Sequence, residues 1–260
     1  MTDDPVRRFA RLVARPDEEI PLDEAALLLP TCMRPVDVAD GLARLDDLAG
    51  ACTARDADGL SRFLFVESSF VGDTTDYEDP RNSFLDDVLT RRKGIPITLS
   101  VLMLEVGRRV GIEVVGIGMP GHFLVRDAHD EDAFFDPFHG GARVDANGAR
   151  ALYAAVRGDD SFHPEYLEAV GKRAILSRML ANLQHSFMSR RPGTVVSVVR
   201  MRCAIPGLPR TERHHLATLL GSLGDFDEAA AMLDGLASEL SGTDAERVRM
   251  QAVALRARGN

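Results

Sequence analysis

Apolar residues lie almost all round one predicted helix in the middle of the chain. The segment from Thr98 to Val110 reads TLSVLMLEVGRRV, a pattern typical of a buried helix rather than a surface one. Gly94-Ile95-Pro96 precedes it, and proline suits a first helical turn because the amide that it lacks would have no partner there. The pattern therefore predicts a central helix that begins near Pro96.

Helical patterns flank this segment on both sides. Residues 5 to about 69 are predicted to be helical, with interruptions at Pro16, Pro21, Pro30 and Pro35. A short helix is expected from Phe84 to Thr90, and helical patterns return after Gly140-Gly141, with breaks near Gly158 and Gly171. We therefore predict a helical N-terminal lobe over residues 1–69, a core over 70–172 and a helical region over 173–260.

Three apolar runs after the central helix predict strands, namely IEVVGIGM, HFLVR and AFFDPF. The predicted fold class is thus α+β, with the helical lobe and the central helix packed on a small antiparallel sheet. A hairpin register symmetric about His129 sets His122 opposite Asp136 on one face, where directly paired Cβ atoms lie about 4.5–5.5 Å apart. A carboxylate at that distance can orient an imidazole, whereas a slip of one residue would separate the two. Alternatively, each residue serves a turn, His122 after Met119-Pro120-Gly121 and Asp136 before Pro137.

Composition restricts the classes of partner and compartment. The formal net charge is −9 and the basic residues form no long stripe, so nucleic acid and anionic membrane are not expected as partners. The three cysteines show no pairing pattern, and MTDDPVRRFARL lacks the apolar run of a signal peptide. No run of eighteen uncharged apolar residues predicts a membrane span. A cytoplasmic location is expected.

The order of short motifs indicates a family. YEDPRNSFLDDVLTRRKGIPITLSVLMLEVGRRVGI is followed by PGHFLVR and DPFHGG, and this text is similar to the SirB family of bacterial proteins. That family is a branch of the transglutaminase-like superfamily in which tetratricopeptide-type helices follow the core. The match is dense from Phe70 to Val144. It implies a papain- or transglutaminase-like fold for the predicted core.

The resemblance also implies a Cys-His-Asp triad, of which His122 and Asp136 match two members. The family pattern places the cysteine fifteen residues before the glycine of a Gly-Ile pair, and fifteen residues before Gly111 stands Pro96. Proline cannot act as a nucleophile, although a helix N-terminus is where a thiol pKa would be lowered. The resemblance thus implies a base and an orienting carboxylate without a thiol.

Further residues are candidates for the cleft. The expected lining residues are Tyr77, Asn82, Arg92, Pro96 and Thr98. Three of them, Tyr77, Asn82 and Arg92, fall in the strongest part of the family match. The alternative is that Asn82 or Ser83 caps the following helix and that Tyr77 packs.

Hydroxyl groups, other thiols and metal ligands complete the candidate chemistry. Ser100 lies one turn beyond Pro96 and is a weak candidate nucleophile; its alternative is a hydrogen bond back to the Pro96 carbonyl. Cys32, Cys52 and Cys203 lie in other, helical segments. His122, Asp136 and His139 form a legitimate ligand set for zinc or iron, but the chain has no HExxH or CxxC motif, so we predict neither metal nor cofactor.

The C-terminal region shows a repeat-like spacing. Leu183 and Leu216 are 33 residues apart, and LGDFDEAAAML predicts a helix-turn-helix, close to the 34-residue tetratricopeptide period. Stacked repeats often present a groove to peptides, but two units packed on a core can also simply complete a fold.

Three functions from different classes follow. The first is a noncatalytic regulatory protein that holds a peptide or protein partner in the cleft or on the helical tail. The second is an amide or ester hydrolase or an acyltransferase, in which His122 is the base, Asp136 orients it and water or Ser100 attacks. The third is a metal- or ligand-binding scaffold. The missing nucleophile favours the first.

Overall fold

The computed structural model describes residues 4–158 and 161–259. Five helices precede or flank the start of the core: α1 Pro5–Val13, α2 Leu22–Leu28, α3 Val38–Ala51, α4 Ala57–Arg62 and α5 Leu85–Arg91. The central helix is α6, Pro96–Val110, and α7 spans Ala146–Arg157. The C-terminal part consists of α8 Lys172–Arg190, α9 Val195–Cys203, α10 Arg210–Ser222, α11 Phe226–Ser238 and α12 Gly242–Gly259. The predicted α+β class with a helical tail is confirmed.

Two sheets accompany these helices. A parallel pair joins β1, Val71–Gly72, to β2, Lys93–Gly94. The main sheet is an antiparallel meander of β3 Val114–Ile117, β4 Leu124–Asp127, β5 Phe134–Asp136 and β6 Ala142–Val144. The parallel pair and β6 were absent from the sequence-based prediction, which had the chain become helical after Gly141. Strands of two or three residues carry too little alternation to be recognised in a sequence.

Helix α6 is the buried centre that its sequence predicts. It begins at Pro96 with Ile95 as its N-cap residue and ends at Gly111, whose φ of 75° is readily adopted by glycine. Eleven of its fifteen residues are buried. One face of the main sheet packs on α6 and the other on α7, because alternate strand residues such as Leu124 and Val125 point to opposite faces and join different hydrophobic clusters.

The largest hydrophobic cluster contains side chains from α1 to α3, α6 and α8 to α10. It therefore includes residues of all three predicted segments, whose boundaries stay a prediction. A separate cluster joins α10, α11 and α12 through small and aliphatic side chains such as Ala230 and Leu233. The predicted helix-turn-helix is present as α10 and α11, which Gly224 connects at a φ of 92°. Within the described residues, no helix combines the length and apolar character needed to cross a membrane.

Candidate functional site

His122 and Asp136 are in direct contact. The distance between His122 Nε2 and Asp136 Oδ2 is 2.8 Å, and both residues are buried. His122 also closes the turn considered as its alternative role, since its amide donates to the Met119 carbonyl at 3.1 Å. Gly121 makes that turn with a φ of 81°. The turn and the imidazole–carboxylate pair thus coexist in one residue.

The predicted register of the hairpin was wrong, yet His122 and Asp136 still lie on the same face of the sheet. Val125 pairs with Phe135 and Arg126 with Phe134, so extending the ladder places Leu124, not His122, opposite Asp136. His122 lies before the start of β4 rather than on it. The error amounts to two residues, and because side chains alternate with a period of two, both residues remain on the same face.

The two oxygens of Asp136 have separate partners. Oδ1 accepts hydrogen bonds from the amides of Phe138 and His139, at 3.1 and 3.2 Å, and so caps the turn that begins at Pro137. Oδ2 contacts His122 Nε2 at 2.8 Å and His139 Nδ1 at 2.7 Å. Burial raises the pKa of Asp136, but the two imidazoles lower it by more, so the net pKa is below the ordinary value. Asp136 is therefore held as a carboxylate that fixes two rings.

A cavity of about 300 Å³ opens beside His122. Its walls come from the loop before α5, the first turn of α6, the turn before β4 and the middle of α8. The residues that matter for its chemistry are Tyr77, Pro96, Ile97, His122, Arg178 and Asn182. Because Asp136 engages Nε2 of His122, Nδ1 is the ring nitrogen left for a ligand or a water in this cavity.

Sequence reasoning missed Arg178 and Asn182. Arg178 lies on α8, and its two terminal nitrogens donate to the carbonyl oxygens of Met119 and His122, each at 2.7 Å. It therefore holds the turn that carries the imidazole. The available signal was the polar pair Arg178 and Asn182, which are four residues apart on one face of a helix that also carries buried apolar residues such as Ile175 and Met179.

Neither Ser100 nor Thr98 presents its hydroxyl to the cavity. Pro96 itself lines the cavity. The hydroxyl of Ser100 donates to the Pro96 carbonyl oxygen at 2.8 Å, as in its alternative role, and the residue is fully buried. The Thr98 hydroxyl is also buried, has no hydrogen-bond partner among the described residues and is not part of the cavity wall. Neither side chain meets the requirement for a base beside an accessible hydroxyl.

The cysteines do not replace the missing thiol. Cys32, Cys52 and Cys203 are partly buried, and none of them lines the cavity. Burial raises the pKa of Cys32 and of Cys203 to about 12, which keeps both groups as neutral thiols. Sγ of Cys203 lies 3.7 Å from Sδ of Met232, in the helical tail.

The other candidate lining residues take different positions. Tyr77 lines the cavity, and its ring packs edge-on against Phe138 with centroids 5.8 Å apart. Asn82 is fully buried; its side-chain amide group donates a hydrogen bond to the Asp76 carbonyl, and its oxygen accepts one from Arg91. It neither lines the cavity nor caps α5, whose N-cap residue is Phe84.

Arg92 is not among the residues that line the cavity. It ends α5 in a left-handed conformation with a φ of 56°, and its guanidinium donates to the Ser68 carbonyl at 2.7 Å. The guanidinium also lies 5.8 Å from the ring centroid of Phe70. Arg92 thus ties two loops together, which explains an arginine at this place without a ligand.

His139 completes a group that is compatible with a metal ion. One donor atom each from His122, Asp136 and His139 lies within 4.8 Å of the others. Two imidazoles and one carboxylate suit zinc or iron. The hydrogen bonds already described account for the same geometry, because the carboxylate satisfies both rings directly.

Comparisons with known proteins match this core. The family model described as "Transglutaminase-like superfamily" matches residues 37–181. A "UPF0162 protein" of Xylella fastidiosa is 41% identical over 129 residues, which cover 48% of this chain and 46% of the relative. A "UPF0162 protein" of Vibrio cholerae is 30% identical over 195 residues, 70% of each chain. "F-box only protein 21" of Mus musculus is 39% identical over 69 residues, 26% of this chain and 11% of that protein.

The length of each match determines which conclusions it supports. The match to the first of these relatives spans about half of that relative's length, whereas the match to the Vibrio protein spans more than two thirds of both chains. The family match covers more than half of this chain and contains α6, the main sheet and the first half of α8. The resemblance read from the sequence motifs is confirmed: the chain belongs to the transglutaminase-like superfamily.

Proposed function

We propose that the protein is a noncatalytic regulatory protein that binds a peptide or protein partner, with a peptide segment of the partner seated in the cavity at the N-terminal end of α6. One observation carries the proposal. Pro96 stands in the cavity wall where a nucleophile is required, while the cavity remains open and its polar lining is retained. A cavity of this kind can bind a peptide, but the proline at the position of the family's cysteine cannot form an acyl intermediate.

Supporting structure holds the cavity in shape. The loop that carries Tyr77 is fixed to α8, because Ser186 Oγ donates to the Glu78 carbonyl at 2.5 Å and Arg190 pairs with Asp76 at 2.6 Å. The opposite wall is fixed by the hydrogen bonds of Arg178. Binding to a preformed cavity loses less conformational entropy than binding that orders its own site.

Filling the cavity tests the proposal. Asn182→Trp places a large ring in the cavity wall, and Met188→Trp places the same ring at a side chain that is 45% exposed on the same helix and outside the cavity. A library of synthetic random heptapeptides is passed over each immobilised variant, and retained peptides are identified by mass spectrometry. We expect the wild type and Met188→Trp to retain the same peptides and Asn182→Trp to lose them. Retention by Asn182→Trp would contradict the proposal.

A second candidate, an amide or ester hydrolase in which His122 activates water, is favoured by the 2.8 Å contact to Asp136. Because that contact occupies Nε2, Nδ1 of His122 is the ring nitrogen left to act as a general base. His122→Ala separates the two functions. A binding protein retains intact peptides in the wild type and the variant alike, whereas a hydrolase yields cleaved peptides from the wild type and intact peptides on His122→Ala alone.

A further inference from the structure

Arg178 carries a positive charge that the described residues do not neutralise. Two of its five N–H groups donate to backbone carbonyls, and no carboxylate in the described parts of the chain lies within ion-pair distance of it. Its guanidinium carbon stands 5.4 Å from the ring centroid of Phe123, so one side of the group is covered by an aromatic ring. Three N–H donors remain for other partners.

Among the partly buried arginines of the described residues, Arg126 likewise has only a backbone acceptor, but two other buried guanidinium groups are paired with carboxylates. Arg109, with a side chain 12% exposed, pairs with Asp23, Asp46 and Glu105. Arg202, 11% exposed, pairs with Glu212 at 2.6 Å. Burial lowers the pKa of Arg178, and the phenol of Tyr77 acts in the opposite direction. An uncompensated charge at this depth is unfavourable unless something else neutralises it.

The cavity beside Arg178 differs in charge from the chain as a whole. The protein carries a formal net charge of −9, yet no aspartate or glutamate lines this cavity. Its polar lining comprises Arg178, the hydroxyl of Tyr77, the amide of Asn182 and the imidazole of His122. These groups are donors or can act as donors, and together they suit an anion.

We infer that Arg178 is the anchor for a carboxylate group of the bound peptide, an inference that rests on the proposed binding function and names the chemistry of its ligand. One guanidinium balances the single charge of a carboxylate. A phosphate monoester carries about −1.5 to −2 at neutral pH and would leave an excess negative charge near Asp136. The carboxylate can belong to the C-terminus of the partner or to an Asp or Glu side chain.

Small probes distinguish these sources. The imidazole signals of isotope-labelled protein are followed by NMR, and the His122 signal is assigned by its loss in His122→Ala. N-acetylglycine represents a terminal carboxylate and N-acetylaspartic acid α-amide a side-chain carboxylate. N-acetylglycinamide is the neutral control, and inorganic phosphate tests the other anion. We expect at least one of the two carboxylates to shift the His122 signal saturably, and the amide and phosphate to bind at least about tenfold more weakly.

Variants of Arg178 test the anchor itself. Arg178→Met removes the charge, Arg178→Lys retains it, and Arg191→Met removes a charge from an exposed position at the end of the same helix. We expect Arg178→Met to weaken carboxylate binding by about tenfold or more, Arg178→Lys to weaken it less and Arg191→Met to leave it unchanged. Because Arg178 also holds the turn before β4, the comparison of acid with amide on the wild type decides the inference if Arg178→Met does not fold.

Two results would overturn the inference: equal binding of N-acetylglycinamide and both carboxylates, or unchanged carboxylate binding by a folded Arg178→Met. Tighter binding of phosphate than of carboxylate would overturn the ligand class. The experiments also distinguish failure of the carboxylate inference from failure of the proposed peptide-binding function. If heptapeptides bind in the cavity with or without a carboxylate, the inference fails and the proposed function stands. If the small carboxylates bind but no heptapeptide does, the proposed function fails and the carboxylate site stands.

Discussion

Charged side chains near the two ends of α6 differ in their partners. At the C-terminal end, the buried carboxylates of Asp23 and Glu105 are paired with Arg108 and Arg109 at 2.6–2.9 Å. At the N-terminal end, the guanidinium of Arg178 has backbone partners and faces an open cavity. Charges that balance each other need no ligand, whereas an unbalanced charge beside a cavity indicates one.

Cavity size alone would not have chosen the N-terminal end of α6. A cavity of about 580 Å³ lies at the C-terminal end, with Leu104, Arg108 and Ile112 among its lining residues. Its wall is largely apolar, and its charged residues include Glu105, which is already paired. The cavity of about 300 Å³ at the N-terminal end holds the imidazole and the unpaired guanidinium. Chemistry rather than volume therefore identifies the candidate site.

Removing a paired arginine at the C-terminal end of α6 should have the largest effect on stability. Arg109→Met leaves the carboxylates of Asp23 and Glu105 with only Arg108, whose side chain is 54% exposed. We expect the free energy of unfolding to fall by about 3 kcal/mol, measured by urea titration. The matched control is Arg247→Met, which removes an exposed pair with Asp244 and should change stability by no more than about 0.5 kcal/mol. Equal effects of the two changes would contradict the comparison.

A substitution in the candidate site at the N-terminal end of α6 should lower the free energy of unfolding by less. Asp136→Asn replaces the carboxylate that satisfies two imidazoles and two backbone amides. We expect a loss of about 2 kcal/mol in the free energy of unfolding at neutral pH, because hydrogen bonds to a charged acceptor are lost. The His122 ring should also lose its fixed orientation, seen as a changed imidazole NMR signal. An unchanged signal would show that the turn before β4 alone positions the ring.

The two ends should also respond to pH with opposite signs. The folded pKa of Asp136 is lowered, so its contribution to stability is present above the ordinary value of 3.8 and is lost as the pH falls further, through the folded pKa. Burial and the Asp23 charge raise the pKa of Glu105, despite its two arginines, so its contribution is full below 4.5 and declines as the pH rises through the folded pKa.

Urea titrations over a range of pH test these signs. The stability difference between the wild type and Asp136→Asn should shrink as the pH falls below 3.8. The wild type should lose stability relative to Glu105→Gln as the pH rises above 4.5. Slopes of the same sign for both differences would contradict the assignment of charge at the two ends.

The smallest expected effect comes from the first turn of α6. The Thr98 hydroxyl is buried without a hydrogen-bond partner in the described part of the chain, so Thr98→Val should raise the free energy of unfolding by about 1 kcal/mol. The control is Thr218→Val, because that exposed hydroxyl donates to the His214 carbonyl and should give no gain. Thermal or urea unfolding measures both. A loss of stability in Thr98→Val would show that the hydroxyl does have a partner.

The sequence by itself determined the central helix, and it made the pairing of His122 with Asp136 one of two predictions. The apolar pattern around Leu102 and the proline at its start fix a buried helix, because these are local requirements of helix geometry and burial. His122 and Asp136 could be placed on one face without the correct register, since alternation along strands tolerates an error of two residues. The order of motifs determined the superfamily.

Only the tertiary structure decided which side chains meet in the cavity. Arg178 and Tyr77 are about a hundred residues apart in the sequence, and α8 approaches the turn before β4 because of packing that no local pattern encodes. The motifs also placed Asn82 and Arg92 near the site, but Asn82 is hydrogen-bonded within its own loop and to the end of α5, and Arg92 is hydrogen-bonded to Ser68, 24 residues away. Local periodicity specifies elements, but the environment of a charge depends on the contacts made when distant elements pack.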